Sequence, residues 1–144
     1  MQKTVDTSRF TIKLGRVKKA YEPVAARVIL ESAQSIYDKA VDNLSGPGID
    51  PRVKGSDNSA IGEMPVPRRT GNLARSMTFR PVSTLEYAIY PDERTADYSK
   101  FVHDGTKHMR PRRFLGDVVR GQGGIIRTKI KDAIKKAIQS EGRK

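Results

Sequence analysis

Residues 77–90, MTFRPVSTLEYAIY, decide the fold class of this chain. Apolar and polar side chains alternate in Met77–Arg80 and again in Leu85–Tyr90, which is the period of a strand with one buried face. The residues between these runs include a proline, a serine and a threonine, which are typical of a turn. The stretch therefore predicts an antiparallel β-hairpin, and a third short extended segment is predicted for Tyr98–Val102.

A long amphipathic helix is predicted before the hairpin, over residues 16–44. Its apolar residues recur at steps of three and four positions: Tyr21, Ala25, Val28, Ile29, Ala33, Ile36, Tyr37, Ala40 and Leu44. Pro23 has no backbone donor, so the regular helix is predicted to begin near Glu22, with Pro23 in its first turn. Ahead of it, the alternation in Phe10–Leu14 predicts a short strand that ends at Gly15.

The last helical region is predicted over residues 112–140, after Pro111. Its apolar residues fall on one face and its lysines and arginines on the rest of the circumference. Three glycines, Gly121, Gly123 and Gly124, are expected to interrupt it.

These elements predict a single α+β domain over residues 1–144. A long N-terminal helix and a C-terminal helix pack on a small antiparallel β-sheet, whose hairpin and third strand occupy residues 74–104. Residues 45–69 are rich in glycine and proline and form a long loop between the first helix and the sheet. Loops of this length are usually functional or disordered, so we expect this one to order against a neighbouring subunit.

The composition excludes several classes of site. The chain has no cysteine, which removes disulfides, thiolate nucleophiles and cysteine-ligated metals. No apolar run approaches the roughly 18 residues of a membrane span, and no secretory signal is predicted at the start. The net charge is +12, and residues 110–144 carry two thirds of that excess, with 11 basic and 3 acidic residues. Such a charge indicates a polyanionic or acidic partner.

No enzyme active site is predicted. Asp92 and Glu93, followed by Asp97 and Lys100, resemble the carboxylates and lysine of some magnesium nucleases, but the lysine lies one position too far along the chain. An exposed charged turn is the better interpretation.

Metal ligation is not predicted either. His103 and His108 flank Asp104 without a third strong ligand at a recognisable spacing, so ordinary loop hydrogen bonds are favoured. No catalytic residue, cofactor or metal ligand is therefore assigned, and the protein is predicted not to be an enzyme.

Three short motifs occur in order in the second half of the chain. They are Thr70-Gly71-Asn72-Leu73, Phe101-Val102-His103-Asp104-Gly105-Thr106 and Arg110-Pro111-Arg112-Arg113-Phe114-Leu115. Each has a local explanation, as a glycine turn or as a proline-led helix start with an apolar anchor. The residues predicted to have this structural role are Thr70, Gly71, Asn72, Leu73, Gly105, Thr106, Pro111, Phe114 and Leu115.

In this order and spacing, the motifs resemble the small neck or tail-completion proteins of long-tailed bacteriophages. The resemblance covers residues 16–140, with its specific part in residues 67–115. It implies a structural virion protein of the neck or tail top, assembled in the host cytoplasm. Such a protein joins or completes the head-to-tail connection as a ring around the DNA channel. Sixfold symmetry is preferred and twelvefold is the alternative.

A ring needs two different complementary patches on each subunit. The loop and the Phe10–Leu14 strand are predicted to lay extended chain on a neighbour's sheet edge. The acidic segment with Asp92 and Asp104 is predicted to oppose the arginines around Pro111. The residues assigned to contacts with other subunits, or with other phage neck, connector or tail proteins, are Phe10, Ile12, Arg68, Arg69, Arg110, Arg112 and Arg113.

The basic charge has three interpretations: proximity to genomic DNA in the channel, pairing with acidic patches on neighbouring proteins, or a solvated helix face. Proximity to DNA is assigned to Arg120, Arg127 and Lys131. A free-standing basic nucleic-acid-binding protein is the alternative function. Membrane binding is not expected, because the last helix has no Trp or Phe after Ile125.

Overall fold

The computed structural model describes residues 7–46, 66, 70–108 and 110–141, and residues 7–18 by their backbone alone. Its elements are α1 (Thr7–Asn43), α2 (Asn72–Ser76), β1 (Met77–Ser83), β2 (Glu86–Pro91), α3 (Ser99–Asp104) and α4 (Gly116–Glu141). The predicted α+β class is confirmed: long first and last helices flank a small antiparallel sheet, and a loop separates the first helix from the sheet.

The first helix is longer than predicted and begins at Thr7. The strand predicted for Phe10–Leu14 is wrong, because these residues are helical. Alternation over five residues is weak evidence for a strand, because Phe10 and Leu14 are four positions apart and would also share one face of a helix. The glycine at position 15 costs a helix only about 1 kcal/mol, less than a long, continuous helix recovers.

Pro23 lies inside α1 and not in its first turn, which corrects the predicted start near residue 22. A proline removes the hydrogen bond to the carbonyl four residues earlier, here that of Lys19. Both residues are exposed, so water can satisfy this carbonyl. The helix therefore tolerates the proline on its solvent side.

The loop after α1 is closed at its base. The Gly46 N–H donates to the Val66 carbonyl at 3.2 Å, and the Val66 N–H donates to the Asn43 carbonyl at 2.7 Å. Val66 is buried in the core. The chain thus leaves α1 and returns to the same point before it enters the sheet.

Strands β1 and β2 pair antiparallel from Met77 opposite Pro91 to Ser83 opposite Glu86, which confirms the predicted hairpin. Strand β1 is longer than predicted, β2 is shifted by one residue, and a bulge near Pro81 precedes the turn. One face of the hairpin packs on α1. There the Phe79 ring stacks on Tyr87 at 5.2 Å and meets Tyr37 of α1 at 5.8 Å between centroids.

Each outer edge of the hairpin contains a proline. The Asp92 N–H donates to the Ser76 carbonyl at 2.7 Å, just before the ladder pair Met77 and Pro91. Hydrogen-bonded and non-hydrogen-bonded pairs alternate along an antiparallel ladder. Pro81 on β1 and Pro91 on β2 consequently occupy positions whose backbone faces outward. Each edge keeps open backbone groups but lacks one donor, which limits how far another strand can extend along it.

The predicted third strand, Tyr98–Val102, is wrong. Ser99–Asp104 form the short helix α3, and the described sheet has two strands. Tyr98 and Phe101 are three residues apart, which fits a helix as well as the alternation fits a strand. Gly105, with φ 81°, ends the helix and donates its N–H to the Phe101 carbonyl at 2.9 Å.

Helix α4 runs without interruption through Gly121, Gly123 and Gly124, although the sequence predicted a break there. Each glycine costs a helix interior about 1 kcal/mol relative to alanine. Packing along α1, the most extensive contact between elements of the described structure, outweighs that cost. Small buried residues, Ala33 on α1 and Ala137 on α4 among them, allow the two helices to lie close together.

The core lies where the end of α1, the hairpin and the start of α4 meet. Its buried members are Ala40, Leu44, Val66, Leu73, Met77, Ala96 and Phe114. Helices α1, α2 and α3 and both strands contribute to this cluster directly or through a residue packed against it, and Phe114 and Leu115 join it just before α4 begins.

Candidate functional site

The segment that leads into α4 is fixed to α3 by backbone hydrogen bonds. The Arg112 N–H donates to the Val102 carbonyl at 2.9 Å, and the Phe114 N–H donates to the Arg112 carbonyl at 2.8 Å. These bonds direct the Phe114 side chain into the core, where it is 1% exposed. The second and third sequence motifs thus meet in space through their backbones.

His103 joins α3 to the first turn of α4. Its Nε2 accepts the Gly116 N–H at 3.2 Å, and its Nδ1 lies 2.8 Å from Oδ1 of Asp104. Because Nε2 is the acceptor, the neutral ring carries its proton on Nδ1, which donates to the carboxylate. The ring also meets Phe114 edge-on, with centroids 5.2 Å apart at 87°. We call these four residues, His103, Asp104, Phe114 and Gly116, the histidine clamp.

A side chain from α1 completes this junction. Nδ2 of Asn43, the last residue of α1, donates to the Phe114 carbonyl at 3.1 Å. The bond joins residues far apart in sequence and fixes where α4 begins relative to the end of α1. No local sequence signal pointed to Asn43, and the sequence did not suggest that His103 spans two helices.

The first motif is a turn that delivers Leu73 to the same core. Gly71 has φ 77°, in the left-handed region that the sequence predicted. The Asn72 N–H donates to Oγ1 of Thr70 at 3.3 Å, and the Arg75 guanidinium donates to the Thr70 carbonyl at 3.0 Å. Leu73 is buried beside the phenylalanine of the clamp. Gly71 and Gly105 both have positive φ, and residues of all three motifs lie in or against the same core.

A cleft of about 580 Å³ opens beside the histidine clamp. It lies between the end of the hairpin, α3 and the start of α4. Its lining residues are Tyr90, Pro91, Asp92, Glu93, Arg94, Ser99, Lys100, His103, Asp104, Phe114 and Leu115. The lining combines acidic, basic and apolar side chains. Among the described residues, no group of three or more acids and histidines is placed to hold a metal ion.

Ser99, His103 and Asp104 share this cleft and are the residue types of a hydrolase triad. In a triad, Nε2 must accept the serine proton. Here the N–H of Gly116 already donates to Nε2, so the lone pair is engaged by the backbone. The arrangement therefore stabilises the junction and does not present a general base to the cleft.

The clamp also sets the ionisation of Asp104. The hydrogen bond from His103 lowers the pKa of this carboxyl below its usual 3.8. Burial opposes this effect, and the charges of His103, Lys100 and Arg113 each lower the pKa by less. Asp104 thus stays ionised at any physiological pH and favours the donor tautomer of the imidazole.

The structure separates the three arginines assigned to neighbour contacts. Arg110 and Arg113 are exposed, whereas Arg112 is 4% exposed and is built into the fold. Arg112 is therefore not available as a surface contact of the isolated subunit, and its substitution would disturb the fold itself.

The other residues assigned to neighbour contacts lie at or beyond the limits of the described structure. Phe10 and Ile12 are in the first turns of α1, so they do not offer an extended strand to a neighbour. Arg68 and Arg69 lie outside the described residues.

The residues assigned to DNA proximity, Arg120, Arg127 and Lys131, are all exposed on α4. Lys135 lies one further turn along the same side of the helix. Its four-residue spacing from Lys131 indicates this position in the sequence. These positions begin about one turn after Gly116 of the clamp and continue along α4 as an exposed surface.

No protein-family model matches the chain, and no curated protein and no solved structure is similar enough to identify a relative. Among the described residues, no helix is both long enough and apolar enough to cross a membrane.

Proposed function

We propose that this chain is a structural subunit of the neck or tail top of a long-tailed bacteriophage. Copies of it close into a ring, sixfold in preference to twelvefold, that joins or completes the head-to-tail connection around the DNA channel. The resemblance of the three motifs supports this function. Their convergence at the histidine clamp and core supports it too, because the residues that carry the resemblance build architecture in the described structure.

The observation that carries the proposal is the hairpin. It projects from the core with open outer edges in the described structure, and its tip is apolar and exposed, with Val82 at 54% and Leu85 at 43%. An exposed apolar tip costs solubility unless a partner covers it. A second copy of the chain in a ring supplies such a cover at every subunit.

A ring interface also requires a second, different patch. Arg110 and Arg113 are exposed just before α4, and the rim of the cleft carries Asp92 and Glu93. Opposite charges exposed on one subunit suit a head-to-tail contact, where a basic group on one copy meets an acidic group on the next.

The alternative, a free-standing nucleic-acid-binding protein, is favoured by the exposed basic residues of α4. It leaves the apolar hairpin tip without a role. We therefore place it second.

Deleting the gene tests the proposed function in the phage. Heads and tails are expected to form separately and to remain unjoined, as seen by negative-stain microscopy of the lysate. Normal infectious particles from the deletion would overturn the proposal.

The ring contact is tested by reversing the exposed arginines, Arg110→Glu with Arg113→Glu. Arg112 is left unchanged because it is buried. The variant is expected to stay folded but to be lost from particles, as measured by immunoblotting of purified virions. Lys19→Glu with Lys39→Glu reverses two exposed charges on α1 as the matched control. Equal incorporation of both variants would exclude the arginines from the contact.

A further inference from the structure

Four basic residues of α4 share one solvent-facing side of the helix. At about 100° per residue, Arg120, Arg127, Lys131 and Lys135 fall within an arc of about 80°. All four are exposed, and the arc is centred away from Ala137, which packs towards α1. We call these four residues the basic stripe. It runs for about 22 Å along the helix axis at about 1.5 Å per residue.

The cations of the basic stripe are not neutralised by the rest of the described chain. Arg127, Lys131 and Lys135 make no ion pair with a described residue. Arg120 has one contact, at 3.9 Å with Asp117, and both side chains are more than half exposed. Such an exposed pair is weak and exchanges readily for a stronger anion.

Other cations of α4 are placed differently. Lys129 and Lys136 line a groove between α1 and α4 together with Glu31 and Asp132. They lie on a different side of α4 from the stripe, with two carboxylates in the same groove, so they do not extend the stripe.

Two glycines lie in the middle of the basic stripe. Gly121 and Gly124 lie between Arg120 and Arg127 on or beside the same arc, and a Cβ added at either glycine would meet nothing within 4 Å. Packing within the described subunit therefore does not explain these glycines. They leave the helix backbone open to close approach by a ligand backbone.

We propose that the basic stripe docks on the phosphate backbone of double-stranded DNA without reading its sequence. A row of exposed cations suits a polyanion of uniform charge, because binding releases the counterions condensed on the duplex. Helix α4 has no aromatic residue, so it offers no stacking platform for single-stranded bases and no aromatic anchor for a membrane. The inference stands on α4 alone and does not depend on ring formation.

The test is binding of the full chain to a fluorescent random-sequence duplex, measured by anisotropy at several salt concentrations. If three to four phosphates are neutralised, the plot of log K against log salt has a slope of about −2.7 to −3.6. Micromolar to submillimolar affinity is expected near physiological salt, roughly the range of non-specific DNA binding.

Paired variants locate the surface. Arg127→Gln with Lys131→Gln removes two stripe charges, and is expected to flatten the slope by about 1.8 and to weaken binding by about tenfold or more at 0.1 M salt. Lys129→Gln with Lys136→Gln removes the same charge from the groove and is expected to leave both quantities nearly unchanged. Circular dichroism confirms that both variants keep their helix content.

Three results would overturn the inference. They are a wild-type chain whose DNA binding has no salt-dependent slope, an equal loss of affinity in the two variants, and tighter binding to phosphatidylserine vesicles than to the duplex. The second result would show that net charge alone governs binding, and the third would assign the stripe to a lipid surface. Absence of the protein from virions would leave DNA binding intact and would count only against the ring.

Discussion

Phe114 shows how one side chain links the third motif to the core. It is almost completely buried, meets His103 edge-on and has its carbonyl held by Asn43. The residue belongs to the core because its backbone is fixed from two directions, by α3 and by α1. A proline-led helix start predicted the anchor but not its neighbours.

Replacing Phe114 by alanine is expected to destabilise the fold by about 3–5 kcal/mol, because it leaves a cavity where three elements meet. Urea denaturation followed by circular dichroism measures the change. Phe101→Ala is the matched control, since that ring is 57% exposed and its loss is expected to cost less than about 1 kcal/mol. Equal losses would place Phe114 outside the core.

The ionisation of Asp104 provides a second test at this scale. Its pKa is lowered chiefly by the hydrogen bond from His103, so the carboxylate stabilises the fold above the usual carboxyl pKa of 3.8. That contribution is lost as the pH falls through the lowered pKa. The stabilisation contributed by Asp104 should therefore be lost only in acid, below about pH 4.

His103→Phe keeps the aromatic contact with Phe114 and removes both hydrogen bonds. The pKa of Asp104 is expected to rise, because the hydrogen bond from His103 is the largest cause that lowers it. Carbon-13 NMR titration of the carboxyl group measures the shift. His108→Phe serves as the control, and an unchanged Asp104 pKa in the His103 variant would contradict the clamp.

At the scale of elements, α4 contains glycines in two different situations. A Cβ at Gly116 would lie 3.1 Å from Nε2 of His103, a ring that is held by Asp104 and by Phe114. A Cβ at Gly121 would meet open space. Replacing glycine by alanine is therefore expected to lower the stability of the fold at one position of this helix and to raise it at the other.

Gly121→Ala is expected to stabilise the protein by about 0.5–1 kcal/mol through helix propensity. Gly116→Ala is expected to destabilise it, since the clamped imidazole must move or give up the backbone hydrogen bond. Thermal unfolding of the two variants against the wild type checks both signs. If Gly116→Ala stabilises the protein, the imidazole of His103 can move at little cost in free energy.

For the whole molecule, the exposed tip of the hairpin predicts self-association. Val82→Ser with Leu85→Ser is expected to reduce oligomer formation, measured by light scattering across a concentration series, with no loss of thermal stability. Both residues are exposed, so the isolated subunit does not need them. The tip is a direct point of contact in the proposed ring.

Val24→Ser with Leu30→Ser makes the same chemical change at two exposed positions of α1 and serves as the control. Oligomer formation that falls equally in both variants would show a general effect of surface hydrophobicity. Self-association unchanged in the hairpin variant would remove the tip from the ring contact.

The sequence by itself determined the elements whose patterns are long or whose residues are stereochemically restricted. The periodicity of α1 and α4, the alternation of the hairpin, and the left-handed glycines at 71 and 105 all act through local backbone preferences. Such preferences do not require knowledge of the neighbours. The α+β class followed from them, and so did the role of Leu73 and Phe114 as apolar anchors.

Only the tertiary structure decided the short or ambiguous segments. Residues 10–14 are helical because α1 continues through them, and α4 continues through its glycines because α1 packs along it. The burial of Arg112, and the hydrogen bonds that His103 and Asn43 make across the chain, depend on which elements meet. These contacts join residues that are distant in sequence, and their energy comes from packing, which a local pattern does not contain.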